Sequence, residues 1–120
     1  MLLDSNIIVY ATHPDQDSLR RFIAENTSSV SIISYVEVLG YHRLTDVERD
    51  LIRGFFASID LLPLTNDVAE EAIRLRQRRR MSLGDALIAA TALVNSLTLV
   101  THNTDDFRWI PELNLHDPVA

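Results

Sequence analysis

The chain has 120 residues, with eleven arginines, no lysine and no cysteine, and seventeen acids that bring the formal charge to −6. That length excludes two ordinary domains and predicts one domain over residues 1–120, while the lack of cysteine excludes disulfides and thiolate metal sites and makes a reducing cytoplasm the expected location. No apolar run reaches the length of a membrane span, and Asp4 interrupts the first apolar stretch with no basic region before it, so neither a bilayer helix nor a signal peptide is expected.

Leu2 to Asp4 reads as a short buried strand, and Ser5 to Ala11 as a helix broken by His13-Pro14. Asp15 to Asn26 predicts a second helix with Leu19, Phe22 and Ile23 on its apolar face. Val30 to Ile33 is rich in β-branched residues and predicts a strand, followed by a helix from Tyr35 to Leu44. Thr45-Asp46-Val47-Glu48 is a capping box opening a helix that runs to Ile59. Its Phe55, Phe56 and Ile59 are expected in the core, although this helix could also offer a partner an apolar patch. Leu61 to Leu64 predicts a third strand, and Asp67 to Arg80 a helix periodic at Val68, Ala72, Ile73 and Leu75. Gly84 to Asn95, mostly alanine and aliphatic, predicts a nearly buried helix. Leu97 to Thr101 is a fourth strand, His102 to Asp106 a polar loop, and Leu113 to Leu115 a short edge strand. This order predicts an α/β fold, a three-layer α/β/α sandwich around a mainly parallel sheet.

The acids fall at strand–helix junctions: Asp4 ends the first strand, while Glu37 and Asp85 are expected to open helices. Right-handed crossovers bring such junctions to one sheet edge, outside the carboxyl ends of the strands, where open α/β sheets bind ligands. Like charges about 4 Å apart repel by roughly 4 kcal/mol at an effective dielectric near 20, so a packed acidic cluster needs protons or cations. Its oxygen-only, sulfur-free chemistry favours Mg²⁺ or Mn²⁺. Each acid also has a purely structural reading. Ser34 to Glu37 and Ser82 to Asp85 both fit a capping box, and Asp4 can cap the helix starting at Ser5. Joint placement on one edge is what favours the metal.

A net negative charge argues against a nucleic-acid partner, but five of the eleven arginines lie between Arg74 and Arg80. Guanidinium forks suit phosphates and carboxylates, and the alternative is a solvated helix face. His13, His42, His102 and His116 show no metal-ligand spacing; only His102 adjoins the acidic edge.

Four segments together carry a resemblance: Leu-Leu-Asp-Ser-Asn at the start, Ile-Ser-Tyr-Val-Glu-Val-Leu-Gly, Gly-Asp-Ala-Leu-Ile-Ala-Ala-Thr-Ala, and Val-Thr-His-Asn-Thr-Asp-Asp-Phe. The chain resembles a PIN domain over nearly its whole length, and in size resembles the VapC-type ribonuclease toxins of toxin–antitoxin pairs. The resemblance implies a Mg²⁺- or Mn²⁺-dependent endoribonuclease, with RNA as substrate, a cognate antitoxin as partner, and a homodimer. It implies metal-binding roles for Asp4, Glu37 and Asp85, and places Asn6 and Thr101 as the polar residues that orient the first acid and line the site. The family's fourth acid, two residues beyond the threonine, is replaced here by Asn103; Asp106 or the adjacent Asp105 is the candidate to compensate. Arg76, Arg79 and Arg80 are the expected substrate or antitoxin contacts.

Two other readings stand beside this one. Aspartyl-phosphate enzymes also place an aspartate after the first strand, but they use a lysine near the phosphoryl group and this chain has none. A catalytically weak PIN-like module for RNA binding or assembly is the alternative that Asn103 favours and the three intact acids oppose.

Overall fold

The computed structural model describes residues 1–119. Five short strands build the sheet: β1 (Leu2–Leu3), β2 (Ser29–Ser31), β3 (Asp60–Leu62), β4 (Leu99–Val100) and β5 (Leu115–His116). They lie in the order β3-β2-β1-β4-β5 and every pairing is parallel. The chain leaves β1 toward β2 and β3, then returns to the other side of β1 as β4. The sheet therefore has its switch point at β1 and β4, where a crevice opens at the strand ends.

Side-chain alternation splits the core between the two faces. Leu2 and Leu99 face α5 (Asn66–Arg78) and α6 (Leu83–Val94), together with Phe107, Ile110 and Leu113. Leu3, Val30 and Val100 face the other layer, made by α1 (Ser5–Ala11), α2 (Asp17–Glu25), α3 (Ile32–Leu39) and α4 (Asp46–Ala57). This is the expected three-layer α/β/α sandwich. Ala86, Ala89, Ala90 and Ala92 are wholly buried, because small side chains let α6 approach both the sheet and α5 closely. Among the described residues, no helix is long and apolar enough to cross a membrane.

The element boundaries differ from expectation where local hydrogen bonds decide them. Ser31, rather than Ser34, caps α3, its side chain accepting from the Ser34 amide. The helix thus begins at Ile32 and ends before Gly40 instead of spanning Tyr35 to Leu44. The expected capping box at Ser34 to Glu37 does not form, and Glu37 lies in the second turn. At Thr45 the expected box does form, with both reciprocal bonds at 3.1 Å. Beyond β3, Pro63 lacks an amide hydrogen for the ladder. Leu97 is kept out of β4 by the end of α6: Ser96 takes φ 55°, and the Ser96 and Leu97 amides bond back to Leu93 and Ala92. That pattern satisfies the last helical carbonyls before the strand can start.

Candidate metal centre

Asp4 follows β1 directly and caps α1. Its Oδ1 accepts from the Ser5 amide at 2.7 Å, and its Oδ2 accepts from the Thr101 hydroxyl at 2.8 Å. Thr101 follows β4, so the two central strands deliver this pair side by side. Thr101 Oγ1 in turn accepts from the Asn103 amide at 3.0 Å. Only 5% of Asp4 is exposed. Burial pushes its carboxyl up to about 6, the Thr101 and Ser5 hydrogen bonds pull it back, and the charges of Asp85 and Glu37 add to the rise.

Asp85 lies in the first turn of α6, where its amide donates to the capping Ser82 hydroxyl at 3.1 Å. Burial raises its carboxyl too, opposed by the Ser82 hydrogen bond and reinforced by the charges of Asp106 and Glu37. Glu37 reaches the group from the middle of α3. Its Oε1 accepts from the Ser5 hydroxyl at 2.8 Å. Its Oε2 lies over Gly84, where a Cβ would stand only 2.8 Å from it.

The structure therefore brings Asp4, Glu37, Asp85 and Thr101 to one edge, with Asp106 near enough to act on Asp85. Asn6 lies in the first turn of α1, and its Oδ1 is buried without a hydrogen-bond partner. Asn103 contributes its backbone amide to the Thr101 network while its side chain is exposed. Asp105 lies in the turn at Thr104–Asp106 and pairs with Arg108 at 2.5 Å, both side chains exposed. His102 turns toward the C-terminal segment, with Nδ1 3.0 Å from Asp117 Oδ2 and its ring edge-on to Tyr10.

The donors at this edge suit a hard divalent cation. They are carboxylates and a hydroxyl, with a glycine where a side chain would displace Glu37; two residues beyond Asp4, Asn6 holds a buried amide oxygen without a hydrogen-bond partner. Among the described residues, no three acidic or imidazole groups are already gathered at ligand spacing. A cation there would offset both the burial of these carboxylates, which is the main cause of the rise at Asp4 and Asp85, and the like charge that adds to it.

The arginine run is not one continuous helical face. The helix ends at Arg78, and Arg79 is extended. Arg74 bonds to Glu71 and Arg78 to Glu112 at 3.2 Å. Arg78 and Arg79 stand over the Trp109 ring, 5.6 and 5.5 Å from its centroid. Arg76 donates to the Met81 carbonyl at 3.4 Å, while Arg80 is exposed in the link between α5 and Ser82. This link leads straight into the α6 terminus that carries Asp85.

Sequence reasoning missed Ser5, Ser34 and Gly84. The signal was present for Ser34: spacing of three from Glu37 puts both on one face of α3, whether or not that spacing makes a cap.

Residues 1–113 match the family model for the PIN domain. The chain is 27% identical to Ribonuclease VapC2 of Rickettsia felis, with 97% of this chain and 96% of that protein aligned. The crystal structure of VapBC2 from Rickettsia felis, bound to a DNA fragment from their promoter, superposes with a TM-score of 0.84 at 25% identity, covering 96% of each chain. A toxin–antitoxin complex from Klebsiella pneumoniae superposes with a TM-score of 0.76 at 28% identity, covering 98% of this chain and 96% of that one. On the match of residues 1–113 to the family model, the chain belongs to the PIN domain family.

Proposed function

We propose that this chain is an endoribonuclease that hydrolyses RNA phosphodiester bonds with Mg²⁺ or Mn²⁺, and that it is the cytoplasmic toxin of a toxin–antitoxin pair. The observation that carries this reading is the convergence of Asp4, Glu37 and Asp85 at the switch point, with the Asp4 carboxyl pushed up to about 6 by burial and like charge. A hydrolase of this kind needs no side-chain nucleophile. When bound, a divalent cation supplies charge neutralisation and activation of water for attack at phosphorus.

The chain's own residues hold and orient. Asp4 and Asp85 provide carboxylate oxygens, with Glu37 beside them; Thr101 fixes the Asp4 carboxylate, and Asn6 offers its free amide oxygen. Asp106 takes the part of the family's fourth acid, because its charge already acts on Asp85. Arg80 is the first candidate for the RNA backbone, with Arg76 and Arg79 beside it. The same arginines suit an acidic antitoxin segment. A groove between α1, α2 and α4, lined by Ile8, Ile23, Leu51, Phe55 and Ile59, offers that partner apolar surface. The names of the Rickettsia and Klebsiella neighbours support an antitoxin partner, and the family supports a homodimer.

The second reading, a catalytically weak PIN-fold RNA-binding or assembly module, rests on Asn103 at the fourth acidic position. Cleavage of RNA by the purified, antitoxin-free protein separates the two. The expected result is cleavage with Mg²⁺ or Mn²⁺, none with chelator, and at least a ~100-fold loss in Asp4→Asn and Asp85→Asn, more than typical losses on removing a supporting residue. Cleavage by Asp4→Asn at the wild-type rate would defeat the metal assignment. RNA binding without cleavage in the wild type would favour the module.

A further inference from the structure

We propose that Ser5 is a positioning residue that holds the Glu37 carboxylate in the acidic centre and thereby sets the affinity of that centre for a divalent cation; the inference rests on the metal reading above. Ser5 is the residue that joins two of the three acids. Its amide donates to Asp4 Oδ1 at 2.7 Å, and its hydroxyl donates to Glu37 Oε1 at 2.8 Å.

Glu37 needs such an anchor. Asp4 is fixed by its place directly after a buried strand, and Asp85 by its short side chain in the first turn of a buried helix. Glu37 instead projects from an exposed position in the second turn of α3, on a long side chain whose rotamer freedom favours solvent. Two features confine it at the site. One oxygen is bonded to Ser5, and the other lies against Gly84 at a distance that a Cβ would violate.

The Ser5 hydroxyl is itself held. Its Oγ lies 3.0 Å from Ser34 Oγ, which lies 3.5 Å from Ser31 Oγ, and neither Ser34 nor Ser31 is more than 1% exposed. A hydroxyl has one proton to give, and a carboxylate can only accept. The Ser5 proton therefore goes to Glu37, Ser34 donates to Ser5, and Ser31 donates to Ser34. The row of hydroxyls points from the buried end of α3 toward one carboxylate oxygen. An alanine at position 5 would remove the last link, leaving the amide bond to Asp4 and the backbone untouched.

The test is calorimetric titration of Mn²⁺ into metal-stripped full-length protein, with thermal denaturation in chelator confirming the fold of each variant. Ser5→Ala should weaken Mn²⁺ binding by roughly 10- to 100-fold, the usual effect of removing a residue that orients a ligand. Ser5→Thr, which keeps the hydroxyl, should recover most of the affinity. Gly84→Ala should lower affinity by the independent route of displacing Glu37. In a Glu37→Gln background, Ser5→Ala should cost little more. Wild-type affinity in Ser5→Ala, or an equal loss with and without Glu37, would overturn the proposal. Wild-type protein that binds no Mn²⁺ would overturn the metal reading along with it; wild-type protein that binds Mn²⁺ in the expected way but cleaves no RNA would remove the ribonuclease reading and leave the role of Ser5 standing.

Discussion

The acidic edge and the arginine end of α5 are organised in opposite ways. The three acids are 33 to 81 positions apart in the chain, counting from Asp4 to Glu37 and to Asp85, yet their charges act on one another. The five arginines occupy seven consecutive positions, yet they separate into local pairs: Arg74 with Glu71, Arg78 with Glu112 and Trp109, Arg79 with Trp109, Arg76 with a carbonyl. Contiguity in sequence spreads side chains around a helix, whereas a parallel sheet gathers junctions from distant segments. The buried region should therefore respond to substitution far more strongly than the exposed one.

The largest effect is expected at Asp4 and should appear as pH dependence without metal. Its folded carboxyl is raised to about 6 from 3.8, so the folded state binds the proton more tightly than the unfolded chain. Stability from this group is fully present below about pH 3.8 and is lost as pH rises through 6. At about 1.4 kcal/mol per unit, the loss at pH 8 is roughly 3 kcal/mol. Asp4→Asn does not titrate, so urea denaturation in chelator should show its stability relative to wild type rising across that window. Mn²⁺ should restore the wild type and not the variant, since a ligand that binds only the folded state stabilises it. A constant difference between the two proteins from pH 4 to 8 would mean that the acids do not form one desolvated cluster.

Much of this centre was legible in the sequence because it depends on topology. Asp4 could be placed from three residues of strand, and Asp85 from a helix start marked by Ser82; both lie where expected. Glu37 reached the same edge by a different route. Ile32 and Ile33 have strand propensity, yet the Ser31 hydroxyl captured the Ser34 amide and turned both into helix, which moved Glu37 from the first turn to the second. Local propensity could not foresee this, since β-branched residues enter helices when packing and a cap favour it. The hydroxyls between Ser5 and Ser31 were illegible for another reason: they link segments whose proximity only the sheet order reveals. The arginine run was read as a unit because composition is visible and side-chain pairing is not.

Smaller effects are expected at the arginine end, and they should divide according to pairing. Replacing Arg76, Arg79 and Arg80 together with Gln should weaken RNA binding and lower the salt slope by roughly 2, at about 0.7 for each phosphate contact on a single strand. Arg80→Gln alone should account for about 0.7 of that change, one phosphate contact out of three. Arg74→Gln should leave the slope unchanged, because exposed pairs such as that with Glu71 contribute at most about 1 kcal/mol to stability and here face their own helix. Binding titrations at several salt concentrations measure both. An unchanged slope in the triple variant would assign the run to solubility and leave the acidic edge without a phosphate track.

The smallest effect, and the finest test of the contrast, concerns the turn after β4. Asn103 stands where the family has an acid, but its side chain is exposed, and its backbone amide is what enters the site by bonding Thr101. Asp105 is paired with Arg108. Asp106 remains, and its charge raises Asp85. Removing a carboxylate whose charge reaches Asp85 should weaken cation binding, since charge count sets affinity at hard-cation sites. Asp106→Asn should therefore shift the Mn²⁺ dependence of cleavage to higher concentration by about 10-fold, the lower end of the usual loss for groups supporting a metal. Asp105→Asn should have no effect. Asn103→Asp should shift the dependence the other way, by less, because Asp106 already supplies a charge that reaches Asp85. If Asn103→Asp instead gives the largest shift of the three, the turn closes on the metal by its first residue, and the exposed position of Asn103 gives way to an inward one once the cation binds.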